Sequence, residues 1–476
     1  MSASAWSTAS LAISQLARLA SNLVLAKLLA PEDFGVVAIV SSILAGLQMF
    51  SDIGIVPSIV RSTRGEESIF LDTAFTLQAA RGFALFLIAC VAAWPVSLAY
   101  GSDLLYLLPV SAVTALLNGL SSSRIAVAAR HMDQRRLAFL ELASFAIQLC
   151  TTLAWAVVDA SAWAIVAGWI AGALTKSILS HHCLGHWADR FRLDPSALRE
   201  LLVFGRWVFV STCIAFLALQ SDRLLLGKLM DLSSLGLYSI ALSLIALPRD
   251  LVSKLASAIQ FAALSRCIRE SPEDFEQTLL RSHRVLLTLS LWMIVTISYY
   301  SQAFFAVLYD ARYQSAPGIL KFLAVPVFVN CVSQASAFGL LALGDSRSLA
   351  RADIARVVTL VPACITGAVH FGLVGFIAGL AVSSLTGYLF QSQSVRSHKV
   401  RVLRSDLGFF LLFVTLMGVP LAAGVARGWL GSYRGVDIGT LAVCTVVLVP
   451  LSIVACVQIR SLVTQRAARG AGAINA

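Results

Sequence analysis

Six cations sit inside long apolar runs of this chain: Arg18, Arg81, Arg206, Arg223, Arg249 and Lys254. A charge near the centre of a bilayer costs at least ~2.5–3.5 kcal/mol on insertion scales, so each needs a compensating reason. Arg18 carries Asn22 one turn on, at i+4 on the same helical face, and Arg81 carries Gln78 at i−3. Arg206 falls in the first half of its run, and Arg223 follows Asp222 near the end of the same run. Arginine presents a planar fork of donors that matches phosphate oxygens. Six embedded cations against few acids therefore suit a cavity for a diphosphate, with Arg18, Asn22, Gln78, Arg81, Arg206 and Arg223 as the candidate binding residues. The plainer reading pairs each cation with a nearby acid or lets it snorkel to the interface. That reading is the stronger one for Arg206, Arg249 and Lys254, since Asp250 and Lys254 form an i, i+4 pair. Asp52 stays open between a proton or sodium site and a partner for Arg18.

Other chemistry finds little footing. HHCLGH, from His181 to His186, has metal-ligand residue types but no second cluster, so no metal is expected. There is no GxxxxGK[ST] phosphate-binding loop, no GxSxG and no HExxH. The nine cysteines are scattered without a CxxC pair and read as small apolar fillers. No cofactor is expected, and no enzyme.

The elements that must position these residues are membrane-spanning helices. The chain is 58% hydrophobic and 13% charged, with a mean hydropathy of +0.83; soluble domains carry about 25% charged residues. Fourteen apolar runs are long enough to cross a bilayer: Trp6–Leu29, Phe34–Val60, Thr73–Leu98, Leu104–Ala128, Leu137–Val158, Ala162–Ser180, Glu200–Leu226, Leu235–Ile259, Val285–Leu308, Pro317–Leu343, Ile354–Phe371, Leu373–Phe390, Leu407–Ala426 and Asp437–Ile459. The first reads as a retained span, because no basic residue precedes Arg18 and no separate cleavage region follows.

The net charge of +11 does not point to nucleic acid. Of the 36 Lys and Arg, 24 fall in alternate loops beginning with Arg61 and Arg64 and ending with the tail Arg460, Arg466 and Arg469, against six on the other side. Under the positive-inside rule both termini face the cytoplasm.

NLVLAKLLAPEDFGVVAIV, from Asn22, aligns without gaps on RLLLGKLMDLSSLGLYSIA, from Arg223, with six of nineteen positions identical. Lys27 meets Lys228 and Gly35 meets Gly236, an offset of 201 residues. AIVAGWIAG, from Ala164, echoes GFIAGLAVS, from Gly375. Six spans separate the copies, so the halves have the same orientation, an architecture in which the site lies between two parallel repeats. The expected organisation is an all-α polytopic membrane protein: a six-helix lobe over residues 1–184, a linker over 185–199, a second six-helix lobe over 200–393, and an additional two-helix segment with a cytoplasmic tail over 394–476.

LLAPEDFGVVAIVSSILAGLQMFSDIGIVPSIVRS, from Leu28, resembles the opening of the polysaccharide transporter family, the Wzx-type flippases of the multidrug/oligosaccharidyl-lipid/polysaccharide exporter superfamily. FGRWVFVSTCIAFLALQSDRLLLGKLMDLSSLGLYSIA, from Phe204, is similar to that family's seventh and eighth spans, and HFGLVGFIAGLAVSS, from His370, to its twelfth. The resemblance covers roughly residues 5–395, and the last two spans go beyond the twelve common in the group. It implies a bacterial inner-membrane protein that carries an undecaprenyl-diphosphate-linked oligosaccharide from the cytoplasmic to the periplasmic leaflet by alternating access. Surface polysaccharide assembly is the implied setting, with membrane lipids and the polymerase and export machinery as implied partners. A drug or other lipid exporter of the same superfamily is the alternative. A membrane-embedded polymerase or ligase fits less well, because it would be expected to hold a large extracytoplasmic loop, and the loops on that side are short.

Overall fold

The computed structural model describes residues 17–426, apart from 19, 52–53, 132, 185–188, 399 and 401. Residues 20–28 form α1. It is followed by α2 (Pro31–Phe50), α3 (Ile55–Arg61), α4 (Ser68–Tyr100), α5 (Leu104–Gly119), α6 (Arg124–Arg130), α7 (Gln134–Val158), α8 (Ala162–Cys183) and α9 (Pro195–Leu229). Then come α10 (Leu232–Ile245), α11 (Leu247–Leu255), a π-helical turn (Ala256–Gln260), α12 (Phe261–Glu270), α13 (Phe275–Leu308), α14 (Ala316–Ala342), α15 (Ser346–Ser397) and α16 (Leu403–Ala426). Among the described residues eight helices are long and apolar enough to cross a bilayer, or nine if α5 and α6 make one bent span. Their outward faces are apolar, with Val91 and Trp94 of α4 respectively 78% and 67% exposed, as lipid-facing side chains must be. The protein is an all-α, multi-pass membrane protein. The last expected span, Asp437–Ile459, lies outside the described residues.

Two of the helices, α2 and α9, start where a proline and a carboxylate coincide. Pro31 opens α2, and the Asp33 carboxylate accepts the Ala30 N–H at 3.0 Å and the Ala162 N–H at 3.0 Å. One side chain thus serves orphan donors at the start of both α2 and α8. Pro195 opens α9 behind Asp194, whose carboxylate accepts the Ala197 N–H at 2.9 Å. Proline at the first helical position loses nothing, since its missing N–H would be unpaired there anyway.

Three of the expected spans are interrupted. Phe34–Val60 is α2 and α3, and just before α3 Gly54 takes the left-handed conformation at φ 62°. Leu104–Ala128 is α5 and α6, bent by 60° at Leu120–Ser123. Leu235–Ile259 is α10, α11 and the π-turn, and the break falls just before Pro248, which cannot donate to the preceding turn. Conversely, Ile354–Phe371 and Leu373–Phe390 are the two arms of α15. Gly372, at φ 59°, reverses the chain, and Gly367 and Gly375 let the arms meet backbone to backbone. The expected Asp250–Lys254 pair is not made: Lys254 is exposed, and Asp250 instead takes its neighbour Arg249 at 3.3 Å. A half-exposed guanidinium in the adjacent position reaches the carboxylate more readily than an ammonium directed into solvent.

The chain divides into two compact units, Met1–Ser239 and Ile240–Ala476. In the first, α2 packs on α9, α4 on α5 and α7 on α8. Ile55, Ile59, Phe70, Leu71, Ala74, Ala126, Ala197 and Leu201 bury one another where α3, α4, α6 and α9 converge. A Cβ placed on Gly35 would strike the Leu232 carbonyl, and one on Gly236 would strike the Pro31 carbonyl. These contacts are reciprocal under the sequence repeat, which equates Pro31 with Leu232 and Gly35 with Gly236. Such residue-for-equivalent-residue exchange is the mark of a local two-fold axis. In the second unit α13 packs on α14 and α14 on α15, while α16 lies along α13.

Candidate functional site

The breaks in the second and fourth expected spans frame a cavity of about 350 Å³ in the first unit. Gln78 and Arg81 of α4 face it, as do Gln48 of α2, Asn118 of α5, Ser121, Ser122 and Ser123 of the bend, and Lys176 of α8. Ile55, Ile59, Leu85 and Ala115 supply its apolar wall.

Each break leaves helix-terminal carbonyls without an intrahelical partner, and α4 supplies the donors. Arg81 Nη2 donates to the Gln48 carbonyl in the last turn of α2 at 2.7 Å, and Nε donates to Oγ of Ser51, the residue after α2, at 2.8 Å. A cation at a helix C-terminus also meets the negative end of the helix dipole. Gln78 Nε2 donates to the Asn118 and Ser121 carbonyls at 3.0 and 3.2 Å and so holds the end of α5. The far side of the bend is tied down by the Ser122 N–H, which donates to Ser180 Oγ at 2.9 Å, and by Ser123 Oγ, which donates to the Asp189 carboxylate at 2.6 Å. Arg130 of α6 donates to the Ile59 carbonyl at 3.0 Å and to the Ser62 carbonyl, and lies 3.3 Å from Glu66. That pins α6 to α3 beneath the cavity.

Two cations, three side-chain amides and three hydroxyl-bearing residues line the space, and among the described residues no carboxylate does. Such a lining suits an anion rich in oxygen. Lys176 makes no hydrogen bond or ion pair among the described residues, so its ammonium is available to a ligand. The volume has room for at least about a dozen waters, enough for a diphosphate.

Of the residues singled out in the sequence, Gln78 and Arg81 come together here. Arg18 is exposed, Asn22 on α1 is half-buried, and neither lines the cavity. Arg223, on α9, is half-buried, with its Nε lacking a hydrogen-bond partner among the described residues. Its neighbour Asp222 accepts the Tyr238 hydroxyl at 2.6 Å. Arg206 lies on α9, with its side chain outside what is described, and Asp52 lies outside the described residues. His181 of the HHCLGH segment contacts the Leu120 carbonyl at 2.9 Å and the Asp189 carboxylate at 3.4 Å. Sequence reading missed Lys176, which counts as a loop-flanking cation until the last turns of α8 are seen to reach the bend. It also missed Gln48, Asn118 and the serine triplet. The run SSSR, breaking an apolar stretch at Ser121, was the available signal.

A family profile described as polysaccharide biosynthesis protein matches residues 24–317, more than half of the chain. The chain belongs to that family. It is 22% identical over 308 residues to the succinoglycan biosynthesis transport protein ExoT of Rhizobium meliloti, covering 63% of this chain and 61% of that one. It is 21% identical over 169 residues to the teichuronic acid biosynthesis protein TuaB of Bacillus subtilis, covering 36% of this chain and 34% of that one. The match thus spans about three-fifths of the first relative and a third of the second. Among solved structures, the lipid II flippase MurJ in an inward closed conformation aligns with a TM-score of 0.69 at 14% identity, over 94% of this chain and 98% of that one. An inward-facing MATE multidrug transporter of the MOP superfamily aligns with a TM-score of 0.64 at 15% identity, over 81% and 95%. This family member therefore shares its fold with those two transporters. At such identities the likeness speaks for the fold alone.

Proposed function

We propose that the protein is a flippase for a polyprenyl-diphosphate-linked oligosaccharide, moving it from the cytoplasmic to the periplasmic leaflet of a bacterial inner membrane during surface polysaccharide assembly. The observation that carries this reading is the cavity where two spans break, lined by Arg81, Lys176 and amide and hydroxyl groups without a described carboxylate. Its size admits the diphosphate. The fold and the roles of the relatives support the setting, a transport step in polysaccharide biosynthesis.

In this reading the substrate-binding set is Arg18, Asn22, Gln78, Arg81, Arg206 and Arg223, joined by Lys176, with Asp52 as an ion-coupling residue. The lobes run over residues 1–184 and 200–393, joined by a linker over 185–199. The two helices and tail of residues 394–476 are an addition to this frame. The reciprocal Gly35–Leu232 and Gly236–Pro31 contacts support lobes related by an axis along the membrane normal. Both termini are cytoplasmic, and transport proceeds by alternating access without covalent chemistry. Export of cationic drugs fits less well, because a lining with two cations repels them. The test is Lys176→Gln at normal protein abundance: loss of export of the lipid-linked sugar supports the reading, and unchanged export argues against it.

A further inference from the structure

The second unit holds a fully buried ionisable cluster that the cavity does not use. His283 of α13 and Asp406 of α16 are both 0% exposed, and Tyr388 of α15 is 2% exposed. His283 Nε2 lies 2.6 Å from Asp406 Oδ1, and the Tyr388 hydroxyl donates to Asp406 Oδ2 at 2.7 Å. Both distances are in or below the range of charge-assisted bonds. Asp406 also stands in the first turn of α16, where the helix dipole favours an anion. The other ring nitrogen, His283 Nδ1, is buried with no hydrogen-bond partner among the described residues.

With Nε2–H donating to an ionised Asp406, the cluster carries one net negative charge and a bare Nδ1 lone pair. One proton taken from solution onto Nδ1 makes an imidazolium beside a carboxylate and brings the net charge to zero. Protonation thus exchanges a hydrogen-bonded buried carboxylate for a hydrogen-bonded buried ion pair of zero net charge. No other described ionisable group besides Tyr388 competes at contact distance. One turn along each helix stand Leu279 and Leu287, Ser384 and Ser392, and Val402 and Phe410. On α12, Cys267 packs against the apolar cluster that includes Leu279, and its thiol donates to the Ser271 carbonyl at 3.3 Å. The charged groups of α12 (Arg266, Arg269, Glu270), Arg281 and Arg284 of α13, Arg396 of α15 and Lys254 of α11 are exposed. Arg249 is paired with Asp250 on α11, and Lys321 lies near the opposite end of α14 from Leu340, which packs with Leu279.

We propose that His283, held by Asp406 and Tyr388, is a proton-binding site, and that its proton is coupled to transport. The cluster joins three helices, so its charge changes a network that all three share, which is what an ion must do to bias helix movement. The coupling half rests on the transport reading given above; the proton site does not.

The experiment uses ¹⁵N-histidine-labelled full-length protein in nanodiscs, with nitrogen shifts followed from pH 5 to 8.5 and His283→Gln used to assign the resonance. The expected result is a single protonation step at His283, moved to lower pH by at least one unit in Asp406→Asn. Tyr388→Phe keeps the packing and removes one donor from the carboxylate, so it moves the step upward and serves if Asp406→Asn does not fold. A His283 resonance constant over the whole range, or a step indifferent to both variants, overturns the proton site. In cells, export of the lipid-linked sugar by the wild type should vary with pH across the step, and His283→Gln at equal abundance should flatten that variation. Wild-type pH dependence retained in His283→Gln overturns the coupling. If the wild type moves no lipid-linked sugar, the flippase reading and the coupling fall together, and the NMR step still decides the proton site.

Discussion

Gln78 and Arg81 stand about one turn apart on α4, and each closes the end of a different interrupted helix. Gln78 holds the Asn118 and Ser121 carbonyls at the end of α5, and Arg81 holds the Gln48 carbonyl and Ser51 at the end of α2. The two donors that keep the breaks in place also face the cavity the breaks create. The structural role and the proposed binding role therefore overlap in these two residues and must be separated by the choice of substitution.

Replacing Gln78 with Leu removes both donors at nearly constant volume. The part-buried Ser121 carbonyl then loses this donor, at about 1–3 kcal/mol at most, while the Asn118 carbonyl keeps the Ser121 N–H. The expected outcome is a lower melting temperature of the purified protein, measured in one detergent against the wild type. An unchanged melting temperature would mean that water replaces the amide without cost.

Arg81→Ala should lower stability for the same reason and lower export as well. Arg81→Lys keeps the charge near the α2 terminus but loses the bidentate fork. It should recover most of the melting temperature and only part of the export. Equal recovery of both would reduce Arg81 to a structural role.

At the reciprocal glycine crossing, Gly35→Val or Gly236→Val drives a side chain into the Leu232 or Pro31 carbonyl. Overpacking of this kind costs about 1–3 kcal/mol or more, and membrane-inserted protein should fall accordingly. Gly318→Ala, where a Cβ meets nothing within 4 Å, is the matched control and should leave abundance unchanged. Quantitative immunoblots of membrane fractions read both.

The basic asymmetry predicts that reporters fused after Ala476 and inserted between Tyr309 and Ser315 lie on opposite sides of the membrane. An alkaline phosphatase fusion should be active at the second position and inactive at the first. Activity at both would break the orientation on which the direction of transport depends.

The helical, membrane-spanning character was legible from composition and apolar run length, because a bilayer leaves the backbone few alternatives to helix. The reversal at Gly372 fell where the gap between two apolar runs put it. What the apolar runs concealed were the breaks inside them. Hydropathy averages over Ser51–Gly54 and Leu120–Ser123, and the donors that stabilise those breaks come from α4, forty residues away for Gln78 and Asn118. Arg81 and Gln78 were recognisable because polar residues at i−3 inside an apolar run are costly. Lys176 was not, because a lysine near a helix end is ordinarily explained by topology. The His283–Asp406–Tyr388 cluster was equally hidden. Its members lie 123 and 18 residues apart in sequence, and no local pattern joins them.

The central claim is that this chain carries a lipid-linked oligosaccharide through a cationic site. The most direct measurement is the sidedness of that lipid in cells supplied only with Lys176→Gln, a residue with no described partner in the fold. Losing one charged contact to phosphate is worth about 1.5–3 kcal/mol, roughly ten- to a hundredfold in rate. At wild-type protein abundance, the lipid-linked sugar should accumulate on the cytoplasmic leaflet, and Lys176→Arg should relieve the accumulation. Normal appearance of the sugar on the periplasmic leaflet in Lys176→Gln would contradict the account.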